Sequence, residues 1–74
     1  LVDEALETAI FVVENDEQIA SQLETSLKQQ KFRVTVVDSP HTALELVEQI
    51  KFDIVFIDAE LPSMSGLDLY LAIK

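Results

Sequence analysis

A stretch of 74 residues and 8.3 kDa holds one small domain, which excludes a two-domain enzyme within it. Five Lys and Arg stand against fourteen Asp and Glu, a net charge of −9, with a pI near 4.2. That balance repels phosphate backbones and anionic membrane surfaces, so neither nucleic acid nor membrane is the expected partner. With no cysteine, disulfides and thiolate metal sites are excluded, and the apolar fraction of 49% is too high for a disordered tail.

In chain order, residues 1–9 read as a helical linker or a cloning remnant, with Val2, Leu6 and Ala9 at helical spacing. The opening residues lack a basic, apolar secretory pattern, so a cytoplasmic setting is expected. Ile10-Phe11-Val12-Val13 is a short apolar run that stops at Glu14-Asn15-Asp16, the pattern of a strand buried on both faces of a parallel sheet. Ile19, Ala20, Leu23 and Leu27 then form the stripe of an amphipathic helix over about Glu17 to Gln30, with Asn15 or Asp16 as its cap.

Phe32 to Val37 reads as a second, more polar strand at a sheet edge. Ser39 and Pro40 give a helix start, and Ala43, Leu44, Val47 and Ile50 its buried stripe. Asp53 to Asp58 is a third strand, again a continuous apolar run, and the loop Ala59–Gly66 follows. There Leu61 and Met64 read as anchors, Pro62 shapes the loop, and Gly66 permits a tight turn into a third helix. That helix begins at Leu67, with Leu67, Tyr70 and Leu71 as its expected packing face. His41 is expected exposed in the first turn of the second helix.

This β-α-β-α-β-α order predicts an α/β fold with parallel strands and right-handed crossovers. Ligands of such sheets sit at the carboxyl ends of the strands. Glu14, Asn15 and Asp58 therefore stand out, and they lie side by side if strands one and three are neighbours. Two strand ends offering oxygen ligands suit Mg²⁺, which typically takes one or two carboxylates plus waters and a phosphate. A carboxylate there can also act as a nucleophile and form an acyl phosphate. Acids also end strands simply because loops are wet, but joint placement after two buried strands argues for a site.

The run D-A-E-L-P-S-M-S-G from Asp58 to Gly66 resembles the receiver domain of bacterial two-component response regulators. That family ends an apolar strand in a phospho-accepting Asp followed by D-x-x-[LM]-P-x-M-x-G. Asp58, Leu61, Pro62, Met64 and Gly66 match it in type and spacing. Val12-Val13-Glu14-Asn15-Asp16 is similar to the family's strand-one ending, and the resemblance runs from Ile10 to Lys74. It implies a flavodoxin-like (CheY-like) sheet, here truncated, with residues 10–74 a partial receiver domain. It further implies that Asp58 takes a phosphoryl group from a sensor histidine kinase or phosphotransfer protein.

On the same resemblance, Glu14, Asn15, Asp58 and the Glu60 backbone carbonyl hold Mg²⁺, and the Ala59 N–H meets the phosphoryl oxygens. The domain is then a switch rather than an enzyme, acting on a partner or an output domain outside these residues.

Two departures matter. The family's usual carboxylate is Asn15 here, which removes one negative charge and is expected to weaken Mg²⁺ binding. Glu60 could restore that charge if its side chain faces the metal, whereas the register argues against Asp16. Receivers also continue through further strands carrying a hydroxyl residue, a Lys and an aromatic switch residue, none of which Lys74 replaces. Three strands with half-covered faces would leave apolar surface exposed and favour self-association. The competing readings are a degenerate, non-phosphorylated receiver serving as an interaction module, a related phosphohydrolase, and an engineered half-domain fragment. A phosphohydrolase typically carries Asp where Glu60 stands.

Overall fold

The computed structural model describes residues 8–74, so most of the expected N-terminal helix (residues 1–7) lies outside the described residues. Ala9, counted with that helix in the sequence reading, instead opens the first strand. The elements are β1 (Ala9–Val13), α1 (Glu17–Gln29), β2 (Arg33–Val37), α2 (Pro40–Gln49), β3 (Ile54–Ile57) and α3 (Gly66–Ile73). The three strands form a parallel sheet in the order β2-β1-β3. This is the expected flavodoxin-like arrangement, with β1 in the centre.

β1 is central because every one of its residues can be buried. Ala9, Ile10, Phe11, Val12 and Val13 are all almost completely shielded from solvent. Its side chains alternate between two apolar layers. Phe11 and Val13 join Val37, Ala43, Leu61 and Leu69 in the core beneath α2 and α3. Phe11 also stacks on Phe52, with ring centroids 4.5 Å apart. Val12 lies on the other face, in one row with Val36 and Phe56.

Register between β1 and β3 is fixed at both ends. At the amino end, the Ala9 N–H donates to Asp53 Oδ2 at 2.7 Å, and the Asp53 N–H donates to the Ala9 carbonyl at 2.8 Å. At the carboxyl end, the Asp58 N–H donates to the Val13 carbonyl at 2.9 Å. Asp53 is therefore a clamp just ahead of β3 rather than a strand residue.

The helix caps follow from local sequence. Asp16 Oδ1 accepts from the Gln18 and Ile19 N–H groups, Ser39 Oγ from Thr42, and Ser65 Oγ from Asp68. α1 ends in a Schellman motif: the Lys31 N–H bonds the Lys28 carbonyl, and the Phe32 N–H bonds the Leu27 carbonyl. Lys31 sits at φ 67°, in the left-handed region that favours glycine.

β3 is as apolar as β1 but pairs on one side only among the described residues, so Ile54 and Phe56 are each 43% exposed, as expected of three strands with half-covered faces. Two expectations change. α3 buries Gly66 and Leu69, whereas Leu67 and Leu71, expected to pack, are 65% and 58% exposed and Tyr70 is exposed with them. α3 is apolar on several sides, so its periodicity fits either stripe. Ile19 and Ile50 are likewise exposed, Ile19 beside the buried Ala20 and Ile50 at the C-cap of α2.

Replacing Lys31 with Gly removes the left-handed penalty and keeps both Schellman bonds. Lys31→Gly is expected to raise stability by about 0.5–1 kcal/mol, read from the urea midpoint. A loss of stability would contradict the left-handed cap.

Candidate functional site

Parallel pairing of β1 with β3 sets Val13 opposite Ile57, so the next residues, Glu14 and Asp58, emerge together at the carboxyl edge of the sheet. The Glu14 N–H is held by the Val37 carbonyl at 3.0 Å, and that of Asp58 by Val13. Both side chains are half-buried. Glu14 Oε2 accepts from the Asp16 N–H at 3.2 Å, and Asp58 Oδ1 from the Glu60 N–H at 3.1 Å. Each carboxylate is thus fixed by a backbone donor two residues downstream, the local turn that acids at strand ends readily make.

Burial raises the Glu14 pKa above its ordinary value; the Asp16 backbone hydrogen bond opposes this. A hydrogen bond to the Asp58 side chain and the negative charge of Asp58 raise it further. The two carboxyl groups therefore crowd each other, a repulsion that a divalent cation would relieve.

The other predicted site residues are arranged around this pair. Asn15 is exposed at the bend before α1. Ala59 is exposed, and its carbonyl accepts from the Gly66 N–H at 2.9 Å. Glu60 is exposed and pairs with Ser65 in an isolated antiparallel bridge. The bond closing that bridge uses the Ala59 carbonyl, not that of Glu60. Asp16 does not replace the missing charge at Asn15, because its carboxylate caps α1.

Among the described residues no three His, Asp or Glu side chains converge on one point. Glu14 and Asp58 bring two carboxylates to one edge of the sheet. That matches Mg²⁺, which keeps much of its water, rather than a closed protein cage.

Two concavities meet at Glu14. The larger, about 430 Å³, lies over Val36, Asp38, Thr42 and the α1 acids Glu17 and Glu24. The smaller, about 170 Å³, is lined by Val12, Leu23, Phe56 and Asp58. Asp58 borders only the smaller one. No described helix is long and apolar enough to cross a membrane.

Comparison with known proteins fits this geometry. The family described as response regulator receiver domain matches residues 10–74. The chain belongs to the response regulator receiver family. Among curated receiver relatives, it is 39% identical over 62 residues to the sensory transduction protein RegX3 of Mycolicibacterium smegmatis. That match covers 84% of this chain and 27% of the relative. It is 29% identical over 65 residues to the cell cycle response regulator CtrA of Brucella ovis, covering 88% of this chain and 28% of that protein.

Among solved structures, a CheY-like receiver domain from Methylobacillus flagellatus superposes with a TM-score of 0.87 at 30% identity, over 90% of this chain and 57% of that one. The non-phosphorylated HemR receiver domain of Leptospira biflexa gives 0.84 at 34% identity, over 90% of this chain and 54% of that one. The chain thus spans about a quarter of the curated relatives (27% and 28%) and just over half of these solved receivers (57% and 54%).

Two features of the site escape a reading by periodicity. Ser65 caps α3, a role announced by its spacing to Asp68. Gly66, expected in a tight turn, opens α3 without a positive φ; its value lies in closeness to the Asp58 backbone.

The raised Glu14 pKa makes a pH prediction. The folded chain holds this proton more tightly than the unfolded chain. Stability therefore falls as pH rises from about 4.3, the unfolded value, through the raised folded value. Glu14→Gln is expected to flatten that part of the profile of urea midpoint against pH. An unchanged profile would show that Glu14 is not crowded.

Proposed function

We propose that this receiver accepts a phosphoryl group on Asp58 from a phosphohistidine of a sensor histidine kinase or phosphotransfer protein, and so switches a partner or output domain. The observation that carries this reading is the β1–β3 register, which brings Glu14 and Asp58 together at the open edge of the sheet. The setting proposed is the cytoplasm.

Asp58 Oδ1 is held by the Glu60 N–H, which fixes the carboxylate and leaves Oδ2 as the attacking atom. An O–P bond forms to the phosphoryl group as the P–N bond to the imidazole breaks in line. The electron pair of the broken bond stays on the imidazole nitrogen; with the other ring nitrogen protonated, the histidine leaves neutral and the product is an acyl phosphate. Ala59 is exposed, and its N–H would be offered to the phosphoryl oxygens.

Mg²⁺ would be held by Glu14, Asn15, Asp58 and the Glu60 carbonyl. When bound, it neutralises charge developing on the phosphoryl oxygens. Asn15 supplies an oxygen without a charge, leaving the side-chain charge to the two carboxylates.

Asp58 is wet on one side and confined by its loop on the other. A bulky phosphohistidine can reach it, while the backbone holds the nucleophile still. Incubation with acetyl phosphate and Mg²⁺ is expected to add one phosphoryl group by intact mass, lost on treatment with hydroxylamine and absent in Asp58→Asn. An adduct that persists in Asp58→Asn would contradict the assignment, and so would the absence of any adduct on the wild-type chain.

A further inference from the structure

Gly66 is the only glycine of the chain, and its φ is not positive, so its backbone makes no demand that another residue could not meet. The demand is spatial. A Cβ at this position would overlap the Asp58 carbonyl oxygen, and would lie 2.9 Å from the Ala59 Cα and 3.0 Å from the Asp58 carbonyl carbon. All three atoms are backbone, so no side chain can swing aside. The Gly66 N–H donates to the Ala59 carbonyl at 2.9 Å in the same contact.

We propose that Gly66 is a positioning residue for Asp58: its bare Cα seats the acceptor peptide against the first turn of α3 and so sets where the Asp58 carboxylate stands. The proposal rests on Asp58 being the phosphoryl acceptor.

Which side yields to an added methyl group follows from the packing. α3 is anchored by Leu69, fully buried in the core, and capped by Ser65. The Asp58 N–H is tied to Val13 in the central strand. Among loop residues 59–65 only Leu61 is buried. The peptide between Asp58 and Ala59 therefore moves, and with it the Glu60 N–H that holds Asp58 Oδ1. A shift of this kind disturbs in-line attack far more than it disturbs the fold.

The test compares Gly66→Ala with Ala20→Gly, which weakens α1 away from the loop. Amide spectra of the chain are recorded first, without any phosphodonor. Gly66→Ala is expected to move the Asp58, Ala59 and Glu60 amides and to leave Phe11 and Val12 in place. Labelling by acetyl phosphate with Mg²⁺, per folded molecule, is expected to slow about 10- to 100-fold. Ala20→Gly is expected to lower Tm and label at the wild-type rate.

Gly66→Ala labelling as fast as Ala20→Gly would overturn the proposal. If the wild-type chain takes no label, the functional reading fails, and the amide shifts alone decide: an unmoved Glu60 amide overturns the positioning role. If Gly66→Ala does not fold, exchange in the wild-type chain decides. A Gly66 amide as protected as that of Leu69 supports the seat, and a freely exchanging one overturns it.

Discussion

The parallel register of β1 against β3 is the constraint on which the site depends. A slip of one residue would turn every side chain of β3 to the other face and part Glu14 from Asp58. The register is held by the paired Ala9 and Asp53 bonds at one end and the Asp58 to Val13 bond at the other. Between them lies the most buried of the described strands. The chemistry at the carboxyl edge is therefore supported by the core, while the acids themselves stay near water.

That placement explains the electrostatics. Burial first, and then the Asp58 carboxyl group brought alongside by the backbone, make Glu14 hold its proton more tightly. Each carboxylate is oriented by one backbone N–H from its own turn. Glu14 and Asp58 are thereby held at the edge of the sheet with their acidic groups half-buried. The larger neighbouring concavity is lined by the α1 acids and does not include Asp58, so its size is no guide to the chemistry.

Much of this was legible in the sequence. The apolar runs ending in Glu14 and Asp58 marked the strands and their carboxyl ends, and Ser39-Pro40 marked the start of α2. What could not be read was whatever depends on neighbours distant in the chain. β3 has the composition of a strand buried on both faces, yet among the described residues it pairs on one side only, with β1. The stripes of α3 were ambiguous because Leu67, Leu69, Tyr70, Leu71 and Ile73 leave few polar positions to mark an outer face. Of the two caps that the sequence offers for α1, Asn15 and Asp16, it is Asp16 whose carboxylate takes the role. Gly66 resembled a turn residue, because its contact with the Asp58 carbonyl is a tertiary distance that no local pattern encodes.

The claim that one cation site is built from the ends of β1 and β3 is tested most directly by titrating the chain with trace Mn²⁺ and mapping paramagnetic broadening of its amide signals. The account predicts that Glu14, Asn15, Asp58, Ala59 and Glu60 broaden first and together. Broadening centred on Glu24 and Asp38, or spread evenly over the acidic surface, would contradict it.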